Sequence, residues 1–317
     1  MTASLALGCA SIGNLYHPID DDRAAATVDA AWDAGIRYFD TAPHYGLGLS
    51  ERRLGAALAG RPRADYTVST KVGRLLEPVP GGGDRLDDGG FVVPATHRRV
   101  WDFSRDGVRR SLDESLDRLG LDRVDLVLLH DAEDHADQAI DEGYPALGEL
   151  RDQGVIGAIG TGSKDTAYLA RFTAECAPDA IIIAGRYTLL EQAALDAILP
   201  ACAAAGTAVL NAGVFNSGLL AAERPHAGLP YEYGRAPAPV VARAAAIADV
   251  CAAHGTTLPA AALAFAASHP LVRSVIVGAD SPEQVRQNAA LFGTPPPAAL
   301  WPALVEAGLL DPRAAVA

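Results

Sequence analysis

Eight short apolar runs, spaced along 317 residues and separated by stretches of helical periodicity, constrain this chain more than any other feature. The runs are Leu5–Gly8, Arg37–Asp40, Thr67–Lys71, Asp125–His130, Ile156–Gly160, Ala180–Ala184, Ala208–Asn211 and Ser274–Val277. Helix-end signals mark the segments between them. Asp20 to Asp22 open a helix that Gly35 closes, and Ser50 opens SERRLGAAL ahead of Gly60. Ser104 precedes DGVRRSLDESLDRLG, where Val108, Leu112, Leu116 and Leu119 share one face; Gly154 and Gly206 stop two further helices. Strands regularly separated by helices run parallel, and strands apolar throughout are covered on both faces. Eight such units predict an α/β chain folded as one (β/α)8 barrel domain of TIM type over residues 1–317. A doubly wound sheet is disfavoured because no GxGxxG follows an early strand; the glycines at Gly46 and Gly48 lack that spacing.

Bulk composition narrows the function. The net charge of −13 argues against nucleic-acid partners, whose phosphates demand a basic surface. No apolar run approaches the ~20 residues a membrane-crossing helix needs. The opening MTASLALGCASIG has no basic region before its apolar residues, which predicts no secretory signal and cytoplasmic residence. Cys9, Cys176, Cys202 and Cys251 are far apart with no CxxC pair and read as reduced, buried thiols. The histidines form no HxxxH or HExxH pair, so no metal site is expected.

Two stretches break the repeat and are expected as long loops at the catalytic face. Residues 76–103, rich in Gly, Pro and Asp, leave the strand that ends in Lys71, and Phe91, Trp101 and Phe103 within them offer apolar surface to a substrate ring. Residues 223–239 form the second.

Four residues that end or follow strands carry the chemistry: Asp40 and Tyr45 in FDTAPHYG, Lys71 in VSTK and His130 in VDLVLLH. A tyrosine hydroxyl, with an ordinary pKa near ~10, is a poor acid or base at neutral pH, but a neighbouring ammonium favours its phenolate. Lys71 supplies that cation, Asp40 keeps it charged, and a neutral His130 holds the reacting oxygen by a hydrogen bond. Tyr45 then passes a proton while a nicotinamide moves a hydride. His44, beside Tyr45, and Trp101 are candidate substrate contacts.

At these residues the chain resembles the aldo-keto reductase superfamily. The resemblance runs from LALGCASIGNLY through GIRYFDTAPHYGLGLSERRLGAAL, STKVGR and SRDGVRRSLDESLDRLGLDRVDLVLLHD to VIVGADSPEQVRQN. The pieces TAPHYGLGLSE, STKVGRLL, AGRYTLLEQ and FNSGLL are similar to a subgroup that includes L-fucose and D-threo-aldose 1-dehydrogenases. The resemblance implies cofactor contacts at Phe215, Asn216, Ser217, Gly218 and Leu219, where a Ser-Gly pair with free amides would hold a pyrophosphate. It implies an adenosine site at Gly278, Asp280, Gln284, Gln287 and Asn288. The Lys and Arg that NADPH-dependent members use against the 2′-phosphate correspond here to Gly278 and Gln284, and Asp280 adds negative charge, so NAD is expected over NADP, with Arg286 the residue that could swing toward a phosphate if NADP were used. The nicotinamide clamp is thinned: the family's Ser-Asn pair falls on Gly162 and Ser163, its glutamine on Ala184 and its stacking tyrosine on Ala212. Ser163, Lys164, Arg186 and Phe215 are the residues available to replace it. The expected substrate is an aldose such as L-fucose or D-arabinose oxidised at C1. Pyridoxal-type aldehydes and other carbonyls stand as the alternative, and a non-catalytic cofactor sensor, as in potassium-channel β subunits, as the rival class. Oligomeric state is not legible.

Overall fold

Local patterning translates directly into the barrel. The computed structural model describes residues 3–232 and 234–314; Met1, Thr2, Tyr233 and the last three residues lie outside it. Its strands are β1 Ser4–Gly8, β2 Tyr38–Asp40, β3 Thr67–Val72, β4 Val124–His130, β5 Ile156–Ser163, β6 Ala180–Ala184, β7 Ala208–Ala212 and β8 Val272–Gly278. Each pairs in parallel with its chain neighbours, and β1 closes the cylinder on β8, with Gly8 opposite Gly278. All eight expected strands are present, most extended by one to three residues.

The helices begin and end where short polar side chains and glycines dictate. Helix α1, Asp21–Asp33, is capped by Asp20, whose carboxylate accepts from the Arg23 amide. Helix α2 spans Leu49–Leu58. Helix α3, Arg105–Leu119, is capped by Ser104 and stopped by Gly120 in the left-handed region. Val108 and Leu112 are fully buried on its inner face.

Period-two alternation sorts the strand side chains into two cores. Leu126 and Leu128 of β4 fill the barrel interior with Ala6, Ile182, Leu210 and Ile276, whereas Val127 and Leu129 face the helices. The same alternation sets the next residue of the inward series, His130, at the interior mouth. In β2, Phe39 faces outward, so Tyr38 and Asp40 face in; in β3, Val68 and Val72 face outward, so Ser69 and Lys71 face in. Burying a Leu or Val contributes about 1.5–3 kcal/mol, so a one-residue slip in any of these strands is strongly disfavoured.

The two irregular stretches are more ordered than their composition suggests. Arg74–Pro78 and His97–Trp101 pair antiparallel as a hairpin between β3 and α3, with Arg74 opposite Trp101. Isolated bridges Leu86 to Pro94 and Leu15 to Phe91 tie down its tip. The expectation of a loop over 76–103 is corrected on this point: the polar turn residues are there, but flanking residues find strand partners about twenty positions away. In the second stretch, Pro230–Tyr231 and Gly234–Arg235 form a short ribbon. Among the described residues, no helix is long and apolar enough to cross a membrane.

Candidate active site

Strand register brings Asp40, Lys71 and His130 to one mouth of the barrel, and the turn after β2 returns Tyr45 over them. That turn is tight: Gly46, Leu47 and Gly48 all have positive φ, and the Gly46 α-carbon lies against Gly13 so closely that any side chain there would strike its carbonyl. The Lys71 ammonium donates to Asp40 Oδ2 at 2.7 Å, to the Thr41 carbonyl at 2.9 Å and to the Tyr45 hydroxyl at 3.0 Å. Asp40 Oδ1 accepts from Ser69 at 2.7 Å, which fixes the carboxylate. The His130 ring lies 5.8 Å from that of Tyr45, edge to face.

Burial and charge set the protonation states. Desolvation opposes the Lys71 ammonium, but the Asp40 carboxylate and the Tyr45 oxygen outweigh it and hold its pKa above the ordinary lysine range. Burial pushes the Tyr45 phenol above its ordinary value, with Lys71 pulling the other way and Asp40 adding to the rise. The expectation of an acidified phenol is thereby qualified: Lys71 offsets burial without reversing it, and Tyr45 rests protonated. Burial, then Arg74 and Lys71, hold His130 well below the histidine range. Burial together with Arg74, Arg99 and Lys71 holds His44 down to about 2. Both imidazoles are neutral.

One cavity of about 570 Å³ is lined at one end by Asp40 and Tyr45 and at the other by Gly278, Asp280, Gln284, Gln287 and Asn288. Phe215, Ser217 and Gly218 line it between. Thus Asp40 and Tyr45, assigned on chemistry, share one space with residues assigned by resemblance, whereas Lys71, His130, His44 and Trp101 are not among the described residues lining it. Gly162, Ser163, Asn216 and Leu219 are not among the described residues that line it. Ser163 instead donates to Glu133 at 2.8 Å. Lys164 and Arg186 both pair with Glu232 of the short ribbon, which leaves Phe215 as the one of the four clamp candidates that lines the cavity.

In the loop after β7, where a free-amide cradle is expected, several amides are bonded within the turn itself. The amides of Asn216, Gly218 and Leu219 donate to Gly213, Phe215 and Asn216 carbonyls within the turn. Asn216 and Ser217 accept positive φ to make that turn. The Asn216 side chain is buried beneath it with neither amide atom partnered among the described residues. A buried side-chain amide left without a partner beneath this turn, beside a long cavity lined by Ser217, Gly218, Gln287 and Asn288, fits a dinucleotide.

At the adenosine end, Asp280 is held by His17 at 2.7 Å and Arg23 at 3.4 Å, and its amide donates to Gln284 Oε1 at 3.0 Å. Arg286 is paired with Glu283. His17 and Arg23 are missed by sequence reading because neither belongs to the segment they serve.

At the mouth, Phe91 is buried against the rings of His44 and Tyr45, at 5.3 and 5.9 Å. Phe103 is buried beneath Gly73, and Trp101 is 43% exposed with the Arg74 guanidinium over its ring. A buried Arg99–Asp87 pair, with Arg99 also donating to the His44 carbonyl, staples the hairpin to the catalytic turn. Arg74, Asp87, Arg99 and Asp131 carry no signal alone in sequence; only the Arg in STKVGR and the Asp after the strand-end His mark two of them.

The chain matches the aldo/keto reductase family model over residues 4–306. It belongs to the aldo/keto reductase family. D-threo-aldose 1-dehydrogenase from Pseudomonas sp. is 50% identical to it over 97% of this chain and 94% of that protein. Pyridoxal 4-dehydrogenase from Microbacterium luteolum is 39% identical, with 97% and 94% covered. Among solved structures, an aldo-keto reductase from Bacillus halodurans in its holo form has TM-score 0.78 at 27% identity, covering 100% of this chain and 94% of that one. A glycerol dehydrogenase from Gluconobacter oxydans has TM-score 0.76 at 25% identity, with 98% and 94% covered. This aldo/keto reductase family member is an NAD(P)-dependent oxidoreductase.

Proposed function

We propose that this protein oxidises an aldose at its anomeric carbon, with Tyr45 as the proton acceptor and NAD as the preferred cofactor. The single observation that carries the catalytic assignment is the three-way contact of Lys71 with Asp40, Thr41 and Tyr45. A bound nicotinamide supplies the hydride acceptor. The resting Tyr45 phenol first gives its proton to solvent through the cavity it lines; the phenolate so formed, stabilised by the ammonium 3.0 Å away, takes the proton of the C1 hydroxyl. His130, neutral, donates a hydrogen bond to the same oxygen. Asp40 holds Lys71 in place and charged. His44, Phe91 and the hairpin wall off the mouth, and Trp101 offers its exposed ring to the substrate.

The preference for NAD rests on Asp280 at the cavity wall, the absent side chain at Gly278 and the neutral, engaged Gln284. A dianionic 2′-phosphate there would meet a carboxylate and find Arg286 occupied. The sugar is supported by the 50% identical aldose dehydrogenase, and the four free cysteines agree with residence in the cytoplasm.

The test is purified protein with NAD and a panel of aldoses, followed by absorbance of the reduced cofactor. Turnover with L-fucose, D-arabinose or a related sugar is expected. Turnover with pyridoxal and none with any sugar would move the assignment to the second reading, which the 39% identical pyridoxal dehydrogenase favours.

A further inference from the structure

Next to His130 stands a charged pair that neither the tetrad nor the cofactor site uses. Asp131 follows His130 directly and has φ +45°, a left-handed backbone rare for a side-chain-bearing residue, fixed by donation of its amide to the Gly162 carbonyl at 2.9 Å. The strain turns its carboxylate back over the barrel mouth, where Oδ2 lies 3.7 Å from His130 Nε2. The Arg74 guanidinium holds the same oxygen. Arg74 is itself buried, bent round by Gly73 and capped by the Trp101 ring.

A neutral imidazole carries its proton on one nitrogen only, and only one choice makes it a donor toward the substrate. His130 Nδ1 is buried with no partner among the described residues, so nothing on that side selects a tautomer. The selection must come from Nε2. A carboxylate near Nε2, too far for a full hydrogen bond but close in a poorly solvated site, favours a proton there. Unaccompanied, that carboxylate would also favour the imidazolium, which is a poorer match to a neutral donor role. Arg74 cancels this second effect because the pair is neutral overall while its negative end faces the ring.

We propose that the Arg74–Asp131 pair is a positioning device that sets the His130 tautomer, with the proton on Nε2 toward the reacting oxygen. The proposal rests on the reading of His130 as the group that holds that oxygen. Other charged or titratable groups facing the ring are Tyr45, Lys71, His44 and Arg99, and those facing Asp131 are Glu133, Lys71, Tyr45 and Lys164.

The test is nitrogen-15 NMR of histidine-labelled full-length protein over about pH 6 to 8, alongside pH profiles of kcat/KM. Wild type should show His130 as the Nε2–H tautomer. Asp131→Asn, which tolerates positive φ and removes only the charge, should give a tautomer mixture and lower kcat roughly tenfold. Its KM for NAD should be unchanged. Arg74→Met should move the acid limb of the profile to higher pH by about one unit, and Arg74→Lys should restore it. The double variant should return the limb toward wild type while the mixture persists. A single Nε2–H tautomer and full kcat in Asp131→Asn would overturn the proposal, as would an Nδ1–H wild type. Should Arg74→Met fail to fold, Asp131→Asn alone decides. Full turnover in His130→Gln would instead remove the reading beneath the proposal, and the NMR spectrum would still report the tautomer.

Discussion

At the scale of single residues, the candidate site is built around one buried ammonium. Lys71 is 3% exposed and makes three short contacts, so its charge is both desolvated and fully partnered. Tyr45→Phe removes the transferring oxygen and nothing of the cavity's far end. Turnover should fall by roughly 10³-fold or more, while cofactor affinity measured by fluorescence titration stays nearly constant; an active Tyr45→Phe enzyme would refute the assignment. Cofactor choice is also a residue-scale matter. Asp280 occupies His17 and Arg23, so Asp280→Ala should free the Arg23 guanidinium and the His17 ring at the adenosine end and raise the NADP to NAD ratio of kcat/KM by about tenfold. An unchanged ratio would mean that the 2′ position lies elsewhere.

At the scale of elements, the hairpin between β3 and α3 decides what surrounds the chemistry. It starts at Gly73, whose φ of +95° and contact with the buried Phe103 ring leave no room for a methyl group. Gly73→Ala should cost on the order of 3 kcal/mol, read as a lower urea midpoint, and should depress turnover because Lys71 and Arg74 flank the turn. A variant as stable as wild type would show that the ring can yield. This element also marks where sequence reading stopped. The strands were legible because apolar runs and helix caps are local signals. The pairing of Arg74–Pro78 with His97–Trp101 was not, because a polar hairpin is specified by cross-strand partners that no single window contains. The turn after β7 shows a related limit: FNSGLL has the composition of a free-amide cradle, yet the amides of Asn216, Gly218, Leu219 and Leu220 donate to carbonyls of the same turn, which composition does not reveal.

At the scale of the molecule, burying several titratable groups at one barrel mouth links stability to pH. His44 and His130 stay neutral in the folded protein where an unfolded histidine, with a pKa near 6.5, is protonated. The unfolded chain therefore binds more protons in acid, and stability should fall as pH drops below about 6.5 and continue falling toward the depressed folded values. Lys71 acts at the other extreme. Its folded pKa is raised, so its contribution is fully present below about 10.4 and is lost as pH rises through the folded value. Urea denaturation from pH 7 to pH 5 should show a decline of about 1 kcal/mol per pH unit for each ring, and His44→Gln should flatten it by one ring's share. An identical slope in that variant would mean that His44 is protonated in the folded state.

The amino-acid sequence by itself determined the closed eight-stranded barrel, the strand ends that hold Asp40, Lys71 and His130, and the turn that carries Tyr45. These follow from period-two and helical patterning and from capping residues, which act over a few positions of chain. Only the tertiary structure decided that Arg74 and Asp131 stand beside His130, that His17 and Arg23 restrain Asp280, and that Tyr45 rests protonated despite its lysine. Those outcomes depend on distances between residues far apart in the chain and on how much water the fold removes, and neither charge pairing nor desolvation has a local signature.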